Sequence, residues 1–179
     1  MVKRSDNRLL VLRHIIFAAL IVLAAVIQQT DFFFSSFGGA RLILLAPLTV
    51  AIAMYERSLP ALFLGLFAGV LWDSASVTVD GFYAVLLASV GFGCCVLVIL
   101  KLRNNIFSCL LLSFVSLLVV VTVYWLLFFV LKGYGSYAYV YMKYYFSSAV
   151  YSMIFVFPIY YLVRAVFRMT APERKRINY

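Results

Sequence analysis

The sequence predicts an all-helical, polytopic integral membrane protein built as a single transmembrane domain over residues 1–179, and three observations carry that reading. Of the 179 residues, 66% are apolar, 18% aromatic and only 12% charged, against about 45–50% apolar and 25% charged in soluble domains. The 90 residues from Leu42 to Leu131 hold just six charges: Glu56, Arg57, Asp73, Asp80, Lys101 and Arg103. The apolar runs are unbroken, as in helices that satisfy their own backbone in lipid. Strands of an outer-membrane barrel would alternate apolar and polar residues instead. So few charges could not coat a globule of this apolarity, which excludes a water-soluble enzyme and a free nucleic-acid binder.

The net charge of +9 fits the membrane reading because of where it lies. Lys3, Arg4, Arg8, Arg13, Lys101, Arg103, Arg164, Arg168, Arg174, Lys175 and Arg176 fall in two tails and one short loop. This is the pattern of positive charge retained on the cytoplasmic side, and no nucleic acid is expected as a partner.

The first helix is expected over about 9–27, with Arg13 and His14 snorkelling toward cytoplasmic headgroups. Its purely apolar part, Ile15 to Ile27, has the length of a signal-peptide core, but no small-x-small cleavage site follows. It is read as a retained signal-anchor.

The next two segments, 42–55 and 58–72, are separated only by Glu56 and Arg57. At 1.5 Å per residue each covers roughly 21–23 Å, short of a hydrocarbon core of about 30 Å. They read as two short helices joined by a tight cytoplasmic turn, or as a pair that does not fully cross. Pro60 stands at a helix start, where its missing N–H costs nothing, whereas Pro47 is expected to kink its helix.

Segments 82–100, 106–131 and 144–163 follow, with a second expected kink at Pro158. The 26-residue fifth segment must tilt or run past the interface. Six passes leave short basic tails, 1–8 and 164–179, on one side. Twelve Lys and Arg then face the cytoplasm and three (Arg41, Lys132, Lys143) face outward, which gives an N-in, C-in orientation. Tyr134, Tyr137, Tyr139, Tyr141, Tyr144 and Tyr145 gather at the outer end of the last two segments. Amphipathic rings at a headgroup boundary account for them.

Chemistry has few candidates. Cys94, Cys95 and Cys109 lie in apolar runs and read as buried, inert thiols. With one histidine in the chain, no metal site is expected. His14 is at the opposite face from Ser74 and Ser76, so no serine nucleophile has a base. Asp73 and Asp80 share an outer loop with no buried partner, unlike an intramembrane aspartyl pair. No catalytic residue, cofactor or small-molecule substrate is expected, and the protein reads as a non-enzyme.

The informative stretch is the third segment. Ala61, Gly65, Gly69 and Asp73 recur every four residues, and such a row drifts only about 40° per step around a helix. It forms a winding stripe of small residues ending in a carboxylate, suited to close helix packing inside the chain or to partner docking. Asp73 is an ionisable group at a membrane helix end, and so a functional candidate. It could cap backbone donors of the following loop, pair with Arg41, or meet a partner's charge. Gly81 supplies backbone freedom where the next helix begins.

Arg41-x5-Pro47, the short helix pair, Gly65-x-x-x-Gly69-x-x-x-Asp73 and the gap to Gly81 together resemble the rod shape-determining MreD family. The likeness in topology covers the whole chain, and the likeness in residues covers about 41–88. The resemblance implies a multi-pass protein of the bacterial cytoplasmic (inner) membrane and a non-catalytic scaffold of the cell-elongation machinery. Its expected partners are MreC, RodA and the elongation-specific penicillin-binding transpeptidase, with the MreB filament engaged indirectly. Such a scaffold would couple peptidoglycan synthesis to rod-shape maintenance. Beyond membrane lipid, no other ligand is implied.

A rival reading is the substrate-capture (S) subunit of an energy-coupling factor vitamin transporter, which is also small, six-span and basic at its cytoplasmic ends, with a fold that resembles this arrangement. Against it, the first segment has no Ala-x-x-x-Ala pair for docking a coupling protein. The outer loops also lack the polar set a vitamin would need.

Overall fold

A computed structural model describes residues 2–30, 42–76, 81–100, 105–127 and 141–170. Among the described residues the chain is all-helical, with seven α-helices and no strand. They are α1 (Val2–Gln29), α2 (Leu45–Ala53), α3 (Ser58–Asp73), α4 (Phe82–Leu100), α5 (Ile106–Trp125), α6 (Ser147–Met153) and α7 (Val156–Thr170), with a π-helical turn at Tyr141–Phe146 before α6.

Among the described residues three helices are long and apolar enough to cross a membrane: the Leu9–Gln29 part of α1, α4 and α5. The α6–α7 pair passes the same test as one span bent by 45°. This is the architecture of a helical membrane protein.

Large apolar side chains point outward all around it, including Ile15, Leu59, Phe63, Val85, Phe107 and Leu111. Several small polar side chains point in. Ser113, Ser116, Ser148, Ser152 and Thr49 are buried. Three of these hydroxyls donate to the preceding turn: Ser116 to the Ser113 carbonyl (2.9 Å), Ser152 to Ser148 (2.8 Å) and Thr49 to Ala46 (2.7 Å). Each hydroxyl is thereby satisfied without water.

At the centre lies α2, all nine of its residues buried, packed by α1, α3, α4, α5 and α7. It is shorter than the expected 42–55 helix, because the apolar run continues through the non-helical Leu42–Leu44 and the turn after Ala53. Hydropathy does not distinguish a buried extended segment from a helix.

Three main-chain donors at this start are held by side chains from other helices. Gln28 Oε1 accepts from the Leu44 and Leu45 N–H groups (2.7 and 3.0 Å), and Ser152 Oγ accepts from Ile43 N–H (2.9 Å). The orphan donors of a buried helix start are thus paired. Pro47 is the third residue of α2. In that first turn a missing N–H breaks no bond, so it starts the helix and does not kink a longer one.

The last segment, expected as one 144–163 helix kinked at Pro158, is bent by 45° ahead of that proline. It breaks at Ile154–Phe155 between α6 and α7. Pro158 lies four residues after Ile154 and cannot donate to its carbonyl, and the proline ring also crowds that carbonyl. The bend therefore falls one turn ahead of the proline. At the end of α5, helix geometry passes into a π turn at 126–127, and the rest of the expected 106–131 segment lies outside the described residues.

Candidate functional site

The small-residue stripe of α3 lies against α4. A Cβ placed on Gly65 would stand 2.5 Å from the Leu87 carbonyl oxygen. One on Gly69 would stand 2.6 Å from the Ala84 nitrogen and closer still to the Tyr83 carbonyl and the Ala84 Cα. The complement comes from α4, where a Cβ on Gly91 would meet the Ala61 carbonyl at 2.7 Å. Every atom named is backbone, so no side-chain rotation could make room. Ala61, Gly65 and Gly69 are spent on a closed antiparallel seam within the chain, where lipid-embedded helices gain from close approach.

Asp73 ends this seam. Its side chain is buried, with Oδ1 accepting from Tyr83 N–H (3.0 Å) and Oδ2 from Ala84 N–H (2.9 Å). Those donors belong to the first turn of α4, whose dipole also favours a negative charge there. Asp73 therefore caps α4 from the end of α3. Gly81, at φ +88°, takes the left-handed conformation that glycine adopts without strain, directly before α4. Arg41, the other partner considered for Asp73, lies outside the described residues.

Aromatic rings reinforce the Asp73 end. Trp72 stacks on Tyr83 with centroids 4.3 Å apart and parallel planes, and Tyr83 stacks on Tyr124 at 5.9 Å, which links α3, α4 and α5. From the late tyrosine cluster, Tyr141 meets Trp125 edge-on at 5.2 Å, and its hydroxyl bonds Thr122 Oγ1 at 3.0 Å. Its neighbours at 134, 137 and 139 lie outside the described residues.

The opposite end holds a constellation the sequence reading missed. Arg13 does not snorkel away. It is buried, and its Nη2 donates to Glu56 Oε2 at 2.9 Å while Nε pairs with Oε1 at 2.5 Å. This is a two-pronged guanidinium–carboxylate contact. The Arg13 guanidinium also sits 5.3 Å from the Phe167 ring centroid of α7. The Glu56 carbonyl accepts from Cys95 Sγ of α4 at 3.2 Å, and His14 Nε2 stands 3.6 Å from Glu56 Oε2. Tyr55 packs on Phe167 and Tyr160, with centroids 5.0 and 6.2 Å away.

The turn between α2 and α3 is therefore tied to α1, α4 and α7 at once. A usable clue did exist: Glu56 is the only acid between Asp31 and Asp73, and a lone acid among membrane helices calls for a cation.

Cys94, Cys95 and Cys109 are free and buried. Among the described residues no group of three or more His, Cys, Asp or Glu could hold a metal ion. In comparisons with known proteins, no family model, no curated protein and no solved structure matches this chain.

Proposed function

We propose that this chain is a non-catalytic membrane scaffold of the bacterial elongation machinery, as its resemblance to the MreD family implies. It would lie in the cytoplasmic membrane, hold MreC, and work beside RodA and its penicillin-binding transpeptidase, with MreB engaged indirectly. The observation that supports this most is how the buried polar groups are used. Asp73 caps α4, Gln28 caps α2, and Glu56 is clamped by Arg13. These groups serve the fold, and the outward surface is apolar, as suits a body that acts by packing against other membrane helices.

The proposed orientation puts the Glu56 end in the cytoplasm and the Asp73 end outside. Residues 42–56 and α3 then count as two short passes among six, with both tails inside. Charge supports it: twelve Lys and Arg fall on the side of Arg13 and Arg57 and three on the other. Because the Gly65–Gly69 seam is closed by α4, a partner helix would meet other faces of the bundle.

Depletion of the chain in its native cell tests the function. On this reading rods widen and round up before they lyse. Rods of unchanged width after complete depletion would remove the scaffold role.

A further inference from the structure

The two helices of the α3–α4 pair do not end at the same height near Glu56. Their antiparallel register is set by Gly91 against Ala61, Leu87 against Gly65, and Cys95 Sγ 3.6 Å from Ser58 Oγ. By that register Arg57 lies level with about residue 96 of α4. Beyond that level α4 continues to Leu100, with Leu97, Ile99 and Leu100 at 50, 68 and 72% exposure. Four residues at 1.5 Å per residue make about 6 Å of apolar helix projecting past Arg57.

On the other flank α1 does the same. Arg13 is fixed at Glu56, and the exposed Leu10, Val11 and Leu12 extend the apolar surface past it. Arg57 is itself exposed. The neighbouring carboxylate of Glu56 is already engaged by Arg13, and among the described residues no other carboxylate pairs with Arg57. Nor can α3 slide to level the ends, because Asp73 is bonded to the first turn of α4.

The result is a cation recessed between two apolar walls. Its stem can snorkel, but the guanidinium needs an anionic or polar partner and hydrocarbon supplies none, whereas the main chain of the turn is already bonded within the protein. The surroundings must come to it.

We infer that the recess at Arg57 draws anionic phospholipid headgroups, with their water, inward along α3, so that the bilayer is thinned on that side of the protein. A hydrophobic surface shorter than the local hydrocarbon thickness is met by thinning, and an exposed arginine selects the phosphate. This rests on the membrane reading of the chain, and not on the identity of any protein partner.

The test uses the full chain in vesicles of phosphatidylcholine with phosphatidylglycerol, spin-labelled through Leu59→Cys or Leu97→Cys. Depth is read from the balance of oxygen and aqueous nickel-chelate relaxation, and the unsubstituted chain gives the background of its buried native cysteines. Both positions face outward. By the register, Leu59 lies three residues, or about 4.5 Å, farther from the Glu56 end than Leu97 does.

In a flat bilayer the Leu59 label is the deeper by that amount. With the recess filled by headgroups it reads as shallow as Leu97 or shallower, a shift of at least about 4.5 Å. Arg57→Leu returns it to the deeper position, and Arg57→Lys keeps the shift. A Leu59 label that is deeper in the unsubstituted background overturns the proposal. A shift that survives Arg57→Leu, or that is equal in pure phosphatidylcholine, overturns the role of the arginine and of anionic lipid. Two labels open to the chelate and closed to oxygen would defeat the membrane reading itself.

Discussion

Gly69→Ala is the smallest change that challenges the α3–α4 seam. The new Cβ would sit 2.6 Å from the Ala84 nitrogen, where unstrained non-bonded contacts are about 3.5–4.0 Å. The two backbones must part by about 1 Å, and the part of α4 that moves carries both donors to Asp73. Overpacking of this kind costs about 1–3 kcal/mol. Each weakened hydrogen bond to a charged group puts up to about 1.5–3 kcal/mol at stake. Alanine returns about 1 kcal/mol through its helix propensity. The expected net loss is about 2–4 kcal/mol, reckoned from those terms.

Gly93→Ala on α4 is the matched control, since nothing lies within 4 Å of its Cβ position and only the propensity gain of up to about 1 kcal/mol applies. Thermal unfolding of both variants in mild detergent, followed by size-exclusion profile, is the assay. Gly69→Ala is expected to melt several degrees below the parent, and Gly93→Ala at or above it. Equal midpoints for the two would refute the seam as a determinant of stability.

Three further outcomes follow from the described geometry. Replacing Arg13 or Glu56 alone by Met leaves a buried charge without its partner and should cost about 3–5 kcal/mol, whereas the double replacement should recover much of the loss in the same melt. At Asp73, stability should fall in the order Asp, Asn, Ala, because the amide keeps one acceptor for the α4 start and alanine keeps none; equal melting of Asn and Ala would contradict a two-acceptor cap. Pro158→Ala supplies the donor that Ile154 lacks, so spin-label distances between α6 and α7 should lengthen as the 45° bend relaxes, and unchanged distances would mean that packing holds the bend.

Much of this organisation was legible in residue order, and the parts that were not share one physical cause. The stripe from Ala61 to Asp73 is periodic within one helix, so its face could be read directly. Its complement in Gly91 and Ala84 lies on another helix, and only tertiary packing sets that register. The Arg13–Glu56 pair joins residues 43 apart in sequence. Long charged side chains near helix ends usually reach for headgroups, and here the turn after α2 offers Arg13 a buried carboxylate instead. The limits of α2 were hidden because its lead-in Leu42–Leu44 is as apolar as the helix. What stops the helix there is bonding to Gln28 and Ser152, which hydropathy does not register. In the last segment the proline was visible, but the bend acts on the carbonyl four residues before it.

The scaffold account turns on which proteins the bundle holds. A gentle detergent pull-down of the tagged chain from its native membrane, read by mass spectrometry, tests that directly. The account predicts recovery of a single-span periplasmic coiled-coil protein together with wall-synthesis enzymes. Recovery of two ATPases and a membrane coupling subunit would contradict it and make the chain a substrate-capture subunit instead.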